Sequence, residues 1–516
     1  MIGEGNMIKK LKAQISNFKL KWGWAILAGL GIVVLYFVLR LINLTILPIF
    51  CDEAIYIRWS QVMWHEPTLR FLPLSDGKQP LFMWLTIPFL KLFSDPLVAG
   101  RMVSIFSGLG TILGAFLLSL TLFKSKRIAL LSSFLYAVSP FAVLFDRMAL
   151  VDSLLTMFGV WVLYFGVLLI RYQRLDLAMI TGIILGGAFL TKSPAIFFAL
   201  LLPSTVLLLT RKKNFLVQIF KLIGLWLVVF LFAFGIYNVL RLGPNFNMIA
   251  ARNKDYVFSF QEILSHPLDP FKPHVGQIWE WFWFFLTPPV ILVFIAGLAV
   301  GIKKFPRQTV LLLIWLLVPL LTQMAFAKVF TARYVLFIIP LFLILAAVFL
   351  EWVIEKVRGL KFILVFLGLL FFPALQFNYH LLTNPQKVPL PEGERRGYLE
   401  DWTSGYGISE VRDYLKSLSS DKQIVVGTEG SFGTLPDGLL IYFDKDPKVT
   451  VIGVGLGLDK IPEPLSDSSS KGNPTFLVAN KSRMGAQNDP GLKLVMEIPK
   501  AKGKSGQDSL LFYQVK

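Results

Sequence analysis

The chain has 516 residues, of which 55% are hydrophobic and only 16% are charged, and it contains 46 Phe and 13 Trp. So many apolar side chains cannot be buried in one water-soluble core, which excludes an ordinary soluble protein and makes lipid the solvent for most of the chain. The net charge of +19 would suggest a nucleic-acid partner, but residues 381–516 hold 17 Lys and Arg against 17 Asp and Glu, so the excess lies in the apolar part.

Apolar runs of roughly 20 residues, the length that crosses a hydrocarbon core of about 30 Å, recur up to about residue 380. They predict a polytopic α-helical membrane protein with about eleven spanning helices. The first run is too long for the core of a signal peptide and has no small-residue cleavage site, so we expect a mature helix. The predicted spans are residues 24–47, 97–123, 128–145, 149–170, 176–191, 195–210, 216–240, 279–302, 308–326, 334–352 and 362–380.

Every second loop between these spans is basic. Lys and Arg concentrate in the short cytoplasmic loops of membrane proteins, so this alternation predicts a cytoplasmic N-terminus and an extracytoplasmic C-terminal region in the plasma membrane. Charge that follows the membrane sides also removes the argument for a nucleic-acid partner. The basic residues are Lys9, Lys10, Lys12, Lys19, Lys21, Lys124, Lys126, Arg127, Arg171, Arg174, Arg211, Lys212, Lys213, Lys303, Lys304, Arg307, Lys356, Arg358 and Lys361.

Two predicted outer loops, residues 48–96 and 241–278, are too long to be simple connectors. The first contains two amphipathic segments, residues 53–65 and 81–93, which are rich in Trp, Phe and Leu with scattered charges. Such segments are typical of helices that lie along the membrane surface. We therefore expect residues 1–380 to form a membrane domain with interfacial helices around a site at headgroup depth.

Residues 381–516 predict a small extracytoplasmic α/β domain, with a loop at residues 466–473. Gly453, Gly455 and Gly457 do not form a dinucleotide fingerprint, because no helix pattern follows them. Cys51 stands alone and permits no internal disulfide. The predicted elements are a helix at residues 409–419 and strands at residues 424–426, 449–453, 476–479, 492–496 and 510–514.

Acidic side chains stand at the outer ends of two predicted spans. Asp52 and Glu53 follow the first span, where the alternative is a solvated helix N-terminus whose acids are favoured by the helix dipole. Asp152 lies just inside the fourth span, and an ionisable residue within a membrane predicts a functional site. The alternative for Asp152 is a structural ion pair with Arg147 or Arg40.

Three bases, Lys78, Lys192 and Arg333, are predicted on the same side as these acids. Each alone could be a snorkelling base. Together they are the cations that a phosphate held near the outer leaflet would require, so they predict a phosphate site there. Acids and bases in this arrangement predict transfer of a group from a membrane-borne phosphate donor, with Asp52 as the general base and the cations stabilising the phosphate that leaves.

Several short strings of residues follow one another between about residues 35 and 345. They are Arg40 to Leu44, Pro48, Asp52-Glu53-Ala54, Tyr56, Gly77-Lys78-Gln79-Pro80-Leu81 with Trp84, Arg147 to Leu155, Leu190-Thr191-Lys192, and Arg333-Tyr334 with Pro340. In this order and at these membrane sides they resemble GT-C glycosyltransferases, in the branch of the protein O-mannosyltransferases and the lipid A aminoarabinose transferases. Gln79 stands where the aminoarabinose transferases tend to have Pro, which puts that particular substrate in doubt.

The resemblance implies transfer of a hexosyl or pentosyl group from a polyprenyl-phosphate-linked sugar at the extracytoplasmic face. The acceptor it implies is a protein or an envelope glycolipid. Carried over by position, the expected catalytic residues are Asp52, Glu53 and Asp152, and the expected contacts of the donor phosphate are Lys78, Lys192, Arg333 and Arg147.

Some GT-C enzymes use a divalent ion, but no ligand spacing for a metal is visible here. His266 and His274 share the second long outer loop at eight positions apart, in Pro-containing chain. The alternative function is a transporter or flippase of a lipid-linked sugar, a class that often shows internal repeats and midplane sites. We find no internal repeat, and the ionisable residues gather at one face. A scaffold protein would leave that cluster unexplained.

Overall fold

The structure is a computed structural model and describes residues 23–210, 214–357, 359–418, 421–485, 489–504 and 506–516. Part of the basic residues used to predict orientation lie outside these ranges, so the orientation of the two ends stays a prediction. These residues are Lys9, Lys10, Lys12, Lys19, Lys21, Arg211, Lys212, Lys213 and Arg358.

Helices dominate the described residues up to about residue 417, and a single sheet follows. The helices are α1 (Gly23–Leu41), α2 (Cys51–His65), α3 (Leu81–Leu92), α4 (Pro96–Phe123), α5 (Lys126–Val138), α6 (Pro140–Asp146), α7 (Val151–Tyr172), α8 (Leu175–Phe189), α9 (Ile196–Leu201), α10 (Phe215–Tyr237), α11 (Met248–Tyr256), α12 (Phe260–Ser265), α13 (Phe271–Trp281), α14 (Pro288–Lys304), α15 (Pro306–Phe326), α16 (Ile339–Lys356), α17 (Leu360–Thr383), α18 (Glu392–Arg395), α19 (Ile408–Ser417), α20 (Thr434–Leu440) and α21 (Glu463–Ser470). The strands are β1 (Ile424–Thr428), β2 (Val449–Gly453), β3 (Thr475–Asn480), β4 (Leu492–Pro499) and β5 (Ser509–Val515).

Seven helices in the described part of the chain are long and apolar enough to cross a membrane, or nine if each of two bent pairs is one span. Two further predicted spans, residues 176–191 and 195–210, correspond to the shorter apolar helices Leu175–Phe189 and Ser193–Leu208. The helical membrane fold is therefore confirmed, while the count of about eleven spans stays a prediction. The seven are Gly23–Leu41, Pro96–Phe123, Val151–Tyr172, Phe215–Leu242, Pro306–Phe326, Ala332–Lys356 and Lys361–Thr383.

Both bent pairs break at proline. The predicted span at residues 128–145 consists of α5 and α6, which meet at 60° before Pro140. The predicted span at residues 279–302 is broken before Pro288, where two helices meet at 103°. Proline lacks a backbone N–H and clashes with the carbonyl one turn earlier, so each is a broken helix instead of the continuous helix expected from hydropathy.

The two amphipathic segments predicted after the first span are helices α2 and α3. Both pack against the start of α4, and α2 also packs against α20 of the C-terminal region. The second long loop is largely helical as well, with α11 and α12 leading into α13. These short helices surround the end of the bundle at which Asp52 lies.

The C-terminal region forms a five-stranded sheet in the order β2-β1-β3-β5-β4. Strand β1 is parallel to β2 and β3, whereas β5 is antiparallel to β3 and β4. All five predicted strands and the predicted helix, now α19, are present, with Ser419 outside the described residues. The loop predicted at residues 466–473 was wrong, because α21 covers most of it. Its buried Leu465 and Ser468 form one short face, a period too brief to be visible in a Ser-rich segment.

Backbone hydrogen bonds attach the C-terminal region to the start of α2. The N–H of Cys51 donates to the carbonyl of Thr403 at 3.0 Å, and the N–H of Gly405 donates to the carbonyl of Ile49 at 2.8 Å. The first N–H groups of a helix have no partner within it, so the C-terminal region supplies one here. The start of α2, which carries Asp52, is thus held from both parts of the chain.

Candidate active site

Asp52 lies between two cations at the start of α2. Its Oδ2 accepts a hydrogen bond from Nη2 of Arg333 at 2.5 Å, and its Oδ1 lies 3.6 Å from Nζ of Lys78. The side chains of Asp52 and Arg333 are 17% and 10% exposed. Charge-assisted hydrogen bonds of this kind are short and about twice as strong as neutral ones. Three residues that are far apart in the sequence therefore form one charged cluster.

The pKa of the Asp52 carboxyl is held well below its usual range. Burial by itself raises the pKa of this carboxyl, but the charges of Arg333 and Lys78 outweigh burial. The pKa of Lys78 is raised, because Tyr56 and Asp52 outweigh the lowering that burial causes. Asp52 is consequently an ionised carboxylate bound to cations, and it accepts a proton poorly until those cations bind another anion.

The loop before α3 fixes the position of Lys78. Gly77 has φ +69°, and a Cβ at this position would lie 2.7 Å from Cβ of Arg252, so the loop and α11 approach more closely than another residue would allow. Nζ of Lys78 lies 3.4 Å from Oδ2 of Asp76, whose Oδ1 pairs with Nη2 of Arg252 at 2.9 Å. Asp76 and Arg252 were not predicted as site residues, and only the approach of residues 241–278, predicted as an outer loop, reveals them.

Asp152 pairs with Lys192, and not with Arg147 or Arg40 as the structural alternative expected. Nζ of Lys192 donates to Oδ1 of Asp152 at 2.6 Å and lies 3.8 Å from the centre of the Tyr334 ring. The other carboxylate oxygen of Asp152 is buried and has no hydrogen-bond partner. A buried acceptor without a partner is costly, which marks this oxygen as one that a bound molecule could satisfy.

Gln79 connects the two charged pairs. Its Nε2 donates to Oγ of Ser193 at 2.9 Å, so the loop that carries Lys78 is joined to the turn that carries Lys192. Tyr334, which contacts Lys192, directly follows Arg333 in the chain. Gln79, where the sequence departs from the expected aminoarabinose transferase pattern, thus joins the loop of Lys78 to the turn of Lys192.

Glu53 lies one residue beyond Asp52 but faces the protein interior. It is fully buried, and its two oxygens pair with Nε and Nη2 of Arg101 at 2.8 and 2.9 Å. The same oxygens accept the N–H of Phe50 at 2.9 Å and the N–H of Ala149 at 2.7 Å. All its acceptor capacity toward the helix start is used, and its contacts are those of a residue that orients α2.

Arg147 is also fully buried and binds backbone instead of another side chain. Its Nη1 and Nη2 donate to four carbonyl oxygens at the C-terminal end of α1, at residues 39, 40, 42 and 43, over 2.7 to 3.2 Å. This explains why α1 ends at Leu41, before the predicted residue 47. Close by, Arg40 pairs with Asp146 at 3.2 Å, and both side chains are buried.

Residues after the last membrane helix reach back to the cluster. Oε1 of Glu394 accepts the N–H of Ala332 at 2.7 Å, directly before Arg333, and the ring of Tyr398 packs on Phe50, directly before α2. Burial raises the pKa of Glu394. These residues were missed because no charge pattern or spacing links residues 392–400 to Asp52.

The residues that the structure describes do not fit a divalent metal site. Within the described residues, no group of three or more His, Cys, Asp or Glu could hold a metal ion. Nδ1 of His274 is bonded to the carbonyl of Met324 at 2.8 Å, and His266 is an exposed partner of Asp269 at 3.4 Å. We therefore assign no step to a metal ion.

A family model and solved structures are similar to this chain. Residues 77–237 match the family model of the dolichyl-phosphate-mannose-protein mannosyltransferases, while curated protein sequences give no significant match. The fold is similar to that of ArnT from Cupriavidus metallidurans in the apo state, with 16% identity, a TM-score of 0.55, and coverage of 96% of this chain and 98% of that one. ArnT bound to undecaprenyl phosphate gives 16% identity, a TM-score of 0.54 and the same coverage.

Proposed function

We propose that this chain transfers a sugar from a polyprenyl-phosphate-linked donor. Its fold, along almost its whole length, is that of the GT-C glycosyltransferases of the ArnT and protein mannosyltransferase type. The resemblance predicted from the sequence is confirmed by the family match and the fold. The reaction we propose takes place at the extracytoplasmic face of the plasma membrane, with a protein or an envelope glycolipid as the acceptor. The related ArnT binds undecaprenyl phosphate, which supports a polyprenyl phosphate as the leaving group here.

The observation that carries this proposal is the cluster of Asp52, Arg333 and Lys78. Both cations are bound to a single carboxylate at 2.5 and 3.6 Å, and a phosphate offers the same kind of oxygen with more charge. An incoming donor phosphate would compete with Asp52 for Arg333 and Lys78. As those cations turn to the phosphate, the carboxylate loses the charges that depress its pKa and becomes a better proton acceptor.

The chemical step we propose is a single displacement at the anomeric carbon. The acceptor oxygen forms the new bond, its proton passes to Oδ1 or Oδ2 of Asp52, and the bond between the anomeric carbon and the phosphate oxygen breaks. The electron pair of that bond stays on the polyprenyl phosphate, where Arg333 and Lys78 stabilise it. A single displacement inverts the configuration of the anomeric carbon.

We propose that Asp152 and Lys192 bind the sugar and its phosphate from the other side. Lys192 adds a third cation beside Tyr334. Oδ2 of Asp152, which has no partner in the structure, accepts a hydrogen bond from a hydroxyl of the sugar. Hydrogen bonds from substrate hydroxyl groups to a buried acceptor favour a specific sugar over one that leaves the acceptor unsatisfied.

Glu53 and Arg147 act in this proposal as positioning residues. Glu53 fixes the start of α2 through Arg101 and two backbone N–H groups, so that Asp52 points at the cations. Arg147 fixes the end of α1 through four carbonyls, ahead of the turn that leads to α2. Within the described residues, neither Glu53 nor Arg147 forms a hydrogen bond with Asp52.

The test is sugar transfer by the purified protein with polyprenyl-phosphoryl sugar donors and a panel of acceptors. Asp52→Asn should reduce transfer by about 10²- to 10⁴-fold, the range expected for a lost general base. The matched control is Asp269→Asn, the same change at a 75% exposed position of the second outer loop, which should transfer as the parent does.

Transfer by Asp52→Asn at the parental rate would contradict the role of Asp52. A parent protein that consumes no donor with any acceptor, but moves the intact lipid-linked sugar across a vesicle membrane, would favour a flippase instead.

A further inference from the structure

A cavity of about 420 Å³ lies between α2, α3 and the C-terminal region, away from the Asp52 cluster. Its walls come from α2, α3, the start of α4, α19 and residues 441–444. None of the residues that bind Asp52, Asp152 or their cations lines it. The cavity therefore needs an explanation separate from sugar transfer.

The cavity lies at the level of a membrane surface. Helix α4 is a 28-residue apolar helix, and Asp95 caps its first turn by accepting the N–H of Leu97 at 2.8 Å. The end of a spanning helix of this length lies at the headgroup region. Trp64 at the cavity is 38% exposed, and Leu92 beside it is 75% exposed, as is typical of side chains that face lipid at the interface.

The two sides of the cavity differ in polarity. Trp64, Leu90 and Phe93 form an apolar wall on the membrane helices. Arg412 and Lys416 face them from α19 of the water-soluble region. These two cations are four residues apart, so they share one face of the helix. The combination of an apolar wall and two cations suits an amphipathic anion.

The acids near the cavity are already committed. Asp444 pairs with Nη1 of Arg58 and with Nε2 of His65, both at 2.7 Å. The closest approach of Asp95 to Arg412 is 3.9 Å, and Asp95 is bonded to the N-terminus of α4. Among the described residues Lys416 forms no ion pair with these acids, whereas Arg412 is paired with Asp95 only at this longer distance.

Arg412 keeps donors free for a ligand. Its Nε donates to Asp413 at 2.7 Å and its guanidinium lies 4.8 Å from the Tyr442 ring, while within the described residues its two amino groups have only the 3.9 Å contact of Nη1 with Asp95. A planar guanidinium held in this way is suited to binding the oxygens of a phosphate.

We propose that this cavity binds the phosphate headgroup of an anionic phospholipid from the surrounding bilayer. Arg412 and Lys416 bind the phosphate oxygens, and the acyl chains leave past Leu90 and Leu92 into the membrane. The lipid would join α19 to α3 and so fasten the C-terminal region to the membrane surface. A free phosphate lacks the apolar part and would leave the wall of Trp64 and Phe93 unused.

The test is retention of phosphatidylglycerol against phosphatidylcholine by the full-length protein in detergent, read by native mass spectrometry. Ser94 is exposed and lines the cavity, so Ser94→Glu and Ser94→Lys change its charge without disturbing packing. We expect Ser94→Glu to weaken and Ser94→Lys to strengthen phosphatidylglycerol retention by about threefold each, and Arg412→Gln with Lys416→Gln to weaken it by about tenfold. The matched control is Lys460→Gln with Lys471→Gln, two exposed cations of the same region, which should retain the lipid as the parent does.

Opposite effects of the two Ser94 variants cannot come from a folding defect, so they would support the proposal even if the double variant were unstable. Equal retention of the two lipids by the parent, or identical retention by both Ser94 variants, would overturn it. Loss of the bound lipid in millimolar inorganic phosphate, with no such loss in equal chloride, would assign the cavity to a soluble phosphate and would also overturn it.

Discussion

Replacing Asp52 with Asn should tighten the binding of polyprenyl phosphate while it lowers the rate of sugar transfer. In the structure the Asp52 carboxylate accepts a hydrogen bond from Arg333 at 2.5 Å and lies 3.6 Å from Nζ of Lys78. An incoming phosphate must therefore displace this carboxylate from both cations. Asn has nearly the same shape and keeps a neutral acceptor, but it removes the competing charge. The cations remain in place for the phosphate.

The expected gain follows from the strength of the bond that is lost. A hydrogen bond to a charged group contributes about 1.5–3 kcal/mol net, and partial exposure of Asp52 and Arg333, at 17% and 10%, places this one in the lower part of that range. Removing about 1.5 kcal/mol of competition lowers the Kd for polyprenyl phosphate by about tenfold. The same change lowers transfer, so binding and catalysis move in opposite directions.

The assay is titration calorimetry with polyprenyl phosphate that carries no sugar, so that no turnover occurs. The parent, Asp52→Asn and the control Asp269→Asn are compared. The double variant Asp52→Asn with Arg333→Gln should not show the lower Kd of Asp52→Asn, because one of the two cations is absent. Because the folded pKa of Asp52 lies below its usual range, the carboxylate of the free protein is ionised above that range, and the comparison is made at pH 8, where the phosphate, with a second pKa of about 6, is a dianion. Equal or weaker binding by Asp52→Asn would refute competition for these cations.

Two further predictions concern buried acids that serve the fold. Glu53→Gln leaves Arg101 as a buried charge without its partner and should destabilise the protein by about 3–5 kcal/mol, seen as a lower Tm in detergent, while transfer per folded molecule stays within about threefold. A loss of transfer with an unchanged Tm would instead assign Glu53 to the chemistry. Burial raises the pKa of Asp437 to about 6, above its unfolded value of 3.8, so the stability present below about pH 4 is lost as the pH rises through about 6. Asp437→Asn should therefore raise the Tm at pH 8 and not at pH 4, and an equal shift at both would contradict this reasoning.

Hydropathy and loop charge were sufficient to bring most of the cluster to one end of the bundle. Asp52, Lys78, Asp152, Lys192 and Arg333 could be grouped because each lies next to an apolar run whose direction the loop charges predict. Their pairing could not be predicted in the same way. Asp152 is on α7 and Lys192 is in the turn after α8, and spacing along the chain carries no information about which elements are neighbours across the bundle.

The contrast between Asp52 and Glu53 has a similar cause. Adjacent residues of a helix point about 100° apart, so one of them can face the cations while the other faces Arg101. Both are acidic, and no period in α2 distinguishes a charged face from a buried one when the buried face holds an ion pair. Only the position of Arg101 on α4 decides between them.

The part of the site that was least predictable lies after the last membrane helix. Asp52 and Arg333 form the shortest pair of the cluster, and each directly follows a residue whose backbone N–H is bound by this region. The N–H of Cys51 donates to Thr403, and the N–H of Ala332 donates to Glu394. In both bonds the donor in the membrane domain is a backbone N–H, so no side chain of that domain allows the contact to be predicted from the sequence. Both anchors come from one segment of chain, so residues 394–403 hold the backbone beside the carboxylate and the backbone beside the guanidinium together.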